Sequence, residues 1–235
     1  MKRIVVILFL ITGGFSCRKN SLSMSVPGQT IKKYYYLALG DSYTIGEMVP
    51  QSDNFPNQVY QMIKNDLVDF QLPRIIAKTG WTTGELREGI EDANQADPFR
   101  PNYDFVSLLI GVNNQYRGRP VDNYKNEFEE LLKMSIAFAG NKTERVVVLS
   151  IPDWGVTPFA GGRDRALIAR EIDAYNAANK QIAEQYRVHY INITPWTREA
   201  AFDNTLLASD SLHPSAKEYK RWAEQIAVLF KQQVR

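Results

Sequence analysis

Short apolar runs alternate along this chain with longer segments in which apolar residues recur at helical spacing. Several of the runs are almost continuous in Val, Ile and Leu, a pattern typical of strands that are covered on both faces. The five predicted strands are Tyr35–Leu39, Arg74–Ala77, Phe105–Ile110, Val146–Ser150 and Val188–Ile193.

Four segments predict helices that lie between these strands or after them. The positions that carry the helical spacing are Phe55, Val59, Met62, Ile63 and Leu67, then Tyr124, Phe128, Leu131 and Leu132, then Leu167, Ile168, Ile172 and Tyr175, and finally Tyr219, Trp222, Ala223, Ile226 and Phe230. The last helix follows Pro214, a residue that suits a helical first turn. Strands that alternate with helices predict βαβ units, a parallel sheet and right-handed crossovers.

Ligand sites in such folds form at the carboxyl ends of the strands. Polar and glycine-containing segments occur there in this chain, at Gly40–Tyr43, Lys78–Trp81 and Gly111–Asn114, and a fourth, Asp210–Pro214, precedes the last helix. Each segment taken alone is also compatible with an ordinary turn, because Gly, Asp, Asn and Ser are common turn residues.

Together these segments hold the groups that nucleophilic catalysis needs. Ser42 offers a hydroxyl at the edge of the sheet, and His213 offers a base in a loop, whereas His189 lies inside a predicted strand. Asp210 can fold back onto the His213 imidazole and fix its tautomer, or it can act only as a cap or turn residue.

Two further positions suit the stabilisation of an oxyanion. The Asn113 carboxamide can donate to a developing negative charge, and Gly80 lets a backbone N–H approach a ligand closely. A plain loop is the alternative interpretation of both.

The combination and order of these segments resemble the SGNH (GDSL-like) hydrolases. Gly40–Ser42 resembles the first family block, Gly80 the second, Gly111–Asn113 the third and Asp210–His213 the last. The resemblance extends from residue 34 to the C-terminus. It implies a flavodoxin-like three-layer α/β/α sandwich with a five-stranded parallel sheet and a serine esterase that needs no cofactor.

The resemblance also implies a role for each residue. Ser42 would attack an ester carbonyl, His213 would accept its proton and Asp210 would orient His213. The backbone N–H groups of Ser42 and Gly80, with the Asn113 side chain, would form the oxyanion hole. Asn114 departs from the family, which often has Asp there, so local support of the loop is expected to differ.

Aromatic and basic residues near these segments are candidates for the substrate pocket. Trp154 and Phe159 follow the fourth predicted strand and either wall an acyl or sugar pocket or pack over the sheet edge. Tyr116, Arg117 and Arg119 follow the Asn113 turn and either contact a substrate or are solvated loop residues.

The N-terminus predicts export. Residues 1–16 begin with positive charge and continue into Ile4–Ile11, an apolar run too short to span a bilayer, so they are interpreted as a signal peptide. Cys17, the only cysteine, stands where a bacterial lipobox places the lipidated residue, although Phe15 fits that pattern poorly. We predict a tether over residues 18–33 and a hydrolase domain over residues 34–235.

Composition gives no support for two classes of function, nucleic acid binding and metal binding. Removing residues 1–16 takes away two of the 28 basic residues and none of the 26 acidic ones, so the mature charges balance and give no case for nucleic acid binding. One cysteine and two separated histidines make no metal-ligand spacing.

The leading hypothesis is a periplasmic or membrane-anchored bacterial esterase, attached to the membrane only through its lipid, that cleaves carbohydrate or lipid esters. The alternatives are a non-catalytic ligand- or carbohydrate-binding lipoprotein on the same fold and an acyltransferase that uses the same site.

Overall fold

The computed structural model of the protein describes residues 32–234. The predicted signal peptide, Cys17 and most of the predicted tether lie outside the described residues. Lys33, the last tether residue, belongs to a short strand, β1 (Lys33–Tyr34), which pairs in parallel with β3 (Asp69–Phe70). Within residues 32–234, every helix is too short or too polar to cross a membrane.

A five-stranded parallel sheet forms the centre of the domain, as predicted. Its strands are β2 (Tyr36–Asp41), β4 (Arg74–Lys78), β5 (Phe105–Leu109), β6 (Val146–Leu149) and β7 (His189–Ile191). They pair in the order β4-β2-β5-β6-β7. Every residue of β2, β5 and β6 is buried, because helices cover both faces of these central strands.

Helices pack on both sides of this sheet and complete the three predicted layers. They are α1 (Ser42–Ile45), α2 (Phe55–Ile63), α3 (Thr83–Ala96), α4 (Val112–Tyr116), α5 (Val121–Phe138), α6 (Arg165–Gln185), α7 (Thr194–Arg198) and α8 (Ala216–Lys231). Helix α2 packs against α8, and α5 packs against both α3 and α6. Phe230 of α8 stacks on Phe105 of the sheet with ring centroids 4.2 Å apart.

The strand ends differ from the prediction by one or two residues, and the boundaries of two helices also differ. Leu67 is 85% exposed and lies beyond α2, which ends at Ile63 because the next residue, Lys64, has an extended backbone. Pro214 stands before α8 and not in its first turn, since Ser215 is the N-cap and the helix begins one residue later.

Helix α3 has no counterpart in the predicted elements, because only two large apolar residues, Leu86 and Ile90, face the core. A different signal marks its beginning. Thr82 and Glu85 form a capping box in which the Glu85 carboxylate accepts from the Thr82 backbone N–H and hydroxyl, both at 2.8 Å.

The strand order creates a crevice at one edge of the sheet. The chain leaves β2 to form β4 on one side and returns to form β5 on the other side, so the connections diverge at the carboxyl end of β2. Ligands bind at such points in open parallel sheets. Asp41 ends β2 there, and Ser42 follows it directly.

Candidate active site

Backbone geometry at the end of β2 presents the Ser42 hydroxyl to the crevice. Gly40 and Asp41 are the last residues of the strand, so the motif is not a separate turn. The Asp41 carboxylate caps the short helix α1 by accepting the Tyr43 backbone N–H at 3.0 Å. Gly46, with φ at +77°, ends α1 after a single turn.

Gly40 is required by the close packing of its neighbours. A Cβ at this position would lie 2.1 Å from the Thr44 Oγ1 and 2.4 Å from the Leu109 carbonyl oxygen. These contacts are too short for any side chain, so glycine alone allows β2 to turn into α1 beside β5.

Three side chains form a hydrogen-bonded series, one from near the beginning of the domain in sequence and two from near its end. The Ser42 Oγ lies 2.9 Å from the His213 Nε2, and the His213 Nδ1 lies 2.5 Å from the Asp210 Oδ2. Ser42 and His213 are only 4% and 6% exposed. Because the carboxylate accepts from Nδ1–H, the lone pair of Nε2 faces the serine hydroxyl, and this is the arrangement in which His213 can remove its proton.

The turn that carries His213 also fixes the carboxylate. The Asp210 Oδ1 accepts the backbone N–H groups of Leu212 and His213, both at 3.0 Å. Burial by itself would raise the pKa of Asp210, but the hydrogen bonds from His213 and Leu212 outweigh it and hold that pKa below its usual value. Asp210 is therefore ionised at neutral pH and can stabilise an imidazolium.

Gly80 and Asn113 line the same cleft as Ser42 and His213. Gly80 has φ at +82°, a conformation that other residues adopt only with strain. The Asn113 Nδ2 donates one hydrogen to the Trp81 carbonyl oxygen at 2.9 Å. The second hydrogen has only a long contact, 3.5 Å, with the Asp41 carboxylate and is available to a developing oxyanion.

Asn114, the departure from the family pattern, supports the loop that holds Gly80. Its buried carboxamide accepts the Thr83 backbone N–H at 3.0 Å and donates to the Thr83 Oγ1 at 2.6 Å and the Glu127 Oε2 at 3.4 Å. Aspartate here would place a second carboxylate against Glu127. The neutral amide of Asn114 therefore suits a chain in which Glu127 already places a carboxylate beside this position.

Aromatic side chains wall the cleft, which has a volume of about 160 Å³. Tyr116 and Phe159 are 41% and 45% exposed, whereas Trp154 is buried and donates its indole N–H to the Gln115 side-chain oxygen at 2.7 Å. All three aromatic residues line the cleft, and the Trp154 ring lies edge-on to the rings of Tyr116 and Phe159, with centroids 5.2 and 6.0 Å apart.

Two residues at the site were not assigned a role from the sequence. The Tyr43 ring packs against the His213 imidazole with centroids 5.0 Å apart. Burial raises the pKa of Asp41 to about 7, although the hydrogen bond from the Tyr43 N–H acts in the opposite direction. Neither was foreseen, because both properties depend on contacts between distant segments.

His189, the other histidine of the sequence, lies outside this cleft. The His189 Nε2 lies 3.0 Å from the Glu144 carbonyl oxygen at the other end of the sheet, as expected for a structural residue. Among residues 32–234, no cluster of His, Cys, Asp and Glu side chains could hold a metal ion.

A serine, a histidine and an aspartate at the carboxyl edge of a parallel sheet define a site of the serine hydrolase class. The model of the GDSL-like lipase/acylhydrolase family matches residues 38–221, and the chain belongs to that family. The family is one of esterases and acylhydrolases, as the sequence resemblance predicted.

Solved structures of similar fold agree with this membership. The psychrotrophic esterase EstA from a Pseudoalteromonas species, inhibited by monoethylphosphonate, is 20% identical with a TM-score of 0.61 and covers 85% of this chain and 97% of its own. A lipase/acylhydrolase from Enterococcus faecalis is 19% identical with a TM-score of 0.61, covering 86% and 97%.

The acetylxylan esterase Axe2 from Geobacillus stearothermophilus is 18% identical with a TM-score of 0.61, covering 84% of this chain and 94% of its own. A search of curated proteins found no match.

Proposed function

We propose that this protein hydrolyses carboxylic esters of short acyl groups through an acyl-enzyme on Ser42. The observation that carries the proposal is the continuous series of hydrogen bonds from the Ser42 hydroxyl through the His213 imidazole to the Asp210 carboxylate, at 2.9 and 2.5 Å. A binding protein needs no such series, whereas general-base catalysis requires a base that is held in the tautomer that can accept the serine proton.

The reaction has two halves. The Ser42 oxygen attacks the ester carbonyl carbon while His213 takes the hydroxyl proton, and the oxyanion is stabilised by the Asn113 amide and the backbone N–H groups of Ser42 and Gly80. Collapse breaks the bond to the alcohol, which leaves with the proton from His213. Water then attacks the acyl-enzyme with His213 again as base, releasing the carboxylic acid and regenerating the serine.

The size and walls of the cleft support short acyl groups on a hydroxylated carrier. A volume of about 160 Å³ is small beside the ~300–1,000 Å³ of pockets that enclose drug-sized ligands. Exposed aromatic faces, here Tyr116 and Phe159, offer flat surfaces for a sugar ring. One protein of similar fold is an acetylxylan esterase, which agrees with acetyl esters of carbohydrate.

Labelling with a fluorophosphonate probe tests the nucleophile. We expect a single adduct that peptide mass spectrometry assigns to Ser42, and no adduct in Ser42→Ala or His213→Ala. Ser52→Ala is the matched control, because the hydroxyl of that exposed serine donates to the neighbouring Asp53 carboxylate, at 3.0 Å, far from the proposed base in the sequence. An unreactive Ser42 in the folded wild-type protein would instead favour the non-catalytic binding protein.

A substrate series then tests the acyl group. We expect kcat/KM to fall steadily from p-nitrophenyl acetate to the octanoate and palmitate esters, and acetylated xylo-oligosaccharides to release acetate. A preference for palmitate would refute the short-acyl proposal and favour a lipid ester. Transfer to an added alcohol that exceeds hydrolysis would identify an acyltransferase.

We also propose that the chain is exported and anchored through lipid on Cys17, on the basis of the sequence pattern alone. Expression in a bacterial host with labelled palmitate should label the wild-type protein and not Cys17→Ser. Equal labelling of both proteins would contradict the proposed lipid anchor, and an unprocessed N-terminus would contradict the proposed export.

A further inference from the structure

We propose that Arg117 is a positioning residue for the oxyanion hole, a role that rests on the proposed ester hydrolysis. Its Nη2 donates to the Gly80 carbonyl oxygen at 2.6 Å, and its Nη1 lies 3.1 Å from the Glu85 carboxylate. None of the four sequence segments that form the site includes Arg117.

The Gly80 loop needs an external restraint because glycine has the most freely rotating backbone of any residue. The Arg117 guanidinium supplies that restraint on the carbonyl side of Gly80. On the preceding side, the Thr79 hydroxyl bonds the Glu47 carboxylate, and on the following side the Trp81 carbonyl accepts from the Asn113 amide. Each residue of the loop is therefore held by a side chain from another segment.

Arg117 itself is fixed at both ends. Its backbone N–H donates to the Asn113 carbonyl oxygen at 3.1 Å, so it ends the same helical turn that begins beside Asn113. Its guanidinium pairs with Glu85, which the capping box with Thr82 holds at the start of α3. Arg117 thus links the element that carries one oxyanion donor to the loop that carries another.

This linkage predicts an effect on the transition state and not on the binding of substrate. An oxyanion donor contributes fully only when it already points to where the charge develops, and a loop that rotates loses that preorganisation. The ground-state carbonyl carries little charge, so KM should change little. The Arg117 side chain is 42% exposed, which limits the effect to about tenfold in kcat.

The test compares wild type, Arg117→Met and Arg117→Lys in steady-state hydrolysis of p-nitrophenyl acetate. We expect kcat to fall about tenfold for methionine, with KM within twofold, and the lysine variant to lie between. The Ki of methaneboronic acid, whose tetrahedral serine adduct places an oxygen in the hole, should rise by the same factor as kcat/KM falls.

The matched control is Arg87→Met, which removes an exposed arginine–glutamate pair that joins α3 to α5, with the Arg87 Nη1 3.3 Å from the Glu130 carboxylate. It should retain wild-type kcat and KM. Guanidinium ion at tens of millimolar should restore part of the kcat of Arg117→Ala and none of the kcat of Ser42→Ala, which a merely structural role for Arg117 does not predict.

The outcomes separate the two proposals. Wild-type kcat in Arg117→Met, or a loss confined to KM, overturns the positioning role while leaving ester hydrolysis intact. A wild-type protein without esterase activity, or Ser42→Ala with full activity, overturns ester hydrolysis itself.

Discussion

Replacing Asp210 with asparagine separates the orienting role of the carboxylate from its role in the turn. The Asp210 Oδ1 accepts two backbone N–H groups, and its Oδ2 accepts from the His213 Nδ1. Asparagine keeps the acceptor for the backbone, but its NH₂ group then faces the imidazole. His213 must turn to the tautomer with Nε2–H, which cannot accept the Ser42 proton.

The expected loss follows from this change of tautomer. The equivalent exchange in a serine protease triad lowers kcat about 10⁴-fold, and the partial exposure of the Asp210 side chain, 25%, moderates the effect here. We expect a fall in kcat of about 10²- to 10⁴-fold, or roughly 3–5 kcal/mol at 1.36 kcal/mol for each tenfold.

Alanine at the same position provides the comparison. It leaves His213 free to adopt either tautomer but removes the side-chain oxygen that accepts both backbone N–H groups, so it should lose roughly 1–3 kcal/mol of stability. We therefore expect the asparagine variant to keep the wild-type Tm and yet to be no more active than the alanine variant. The assay is p-nitrophenyl acetate hydrolysis with thermal unfolding followed by circular dichroism.

An asparagine variant with kcat within tenfold of wild type would refute the reasoning. It would mean that the tautomer of His213 is not set by Asp210, despite the 2.5 Å contact. A fall in activity that matches a fall in Tm would show that the residue acts through the fold alone.

Two further predictions concern buried polar groups around the site. Asp41 has a pKa of about 7 in the folded protein, so the folded state binds the proton more tightly and stability falls as pH rises from about 4 to 7, by up to ~4 kcal/mol. Asp41→Asn, which keeps the acceptor for Tyr43, should flatten this dependence in urea titrations, and an unchanged slope would contradict the assignment. Asn114→Ala removes three hydrogen bonds and leaves the Thr83 backbone N–H without its acceptor, although the Thr83 hydroxyl still bonds Glu127, and should cost about 2–4 kcal/mol. This cost should lower Tm by roughly 4–16 °C; a Tm within 2 °C of wild type, a shift of at most about 1 kcal/mol, would refute it.

Local sequence patterns were insufficient to predict helix α3 and the hydrogen bonds of Asn114. The α3 sequence has few large apolar residues. Its stability depends on the capping box and on contacts with α5, a helix that is distant in the sequence. Asn114 reads locally as a loop residue, and its partners Thr83 and Glu127 become neighbours only when α3 and α5 pack together.

The sequence by itself determined the five strands of the central sheet, four of the helices and the candidate reacting groups. Apolar runs and helical spacing report burial directly, since the backbone period dictates which side chains share a face. Ser42, His213 and Asp210 could be chosen because few residue types perform this chemistry.

Only the tertiary structure decided how these groups meet. The 2.9 Å contact between Ser42 and His213 joins residues 171 positions apart, and the restraint of Gly80 by Arg117 joins residues 37 positions apart. Such distances depend on the packing of whole elements, and neither spacing nor composition specifies that packing. The raised pKa of Asp41 has the same origin, because burial is a property of the assembled domain and not of any local segment.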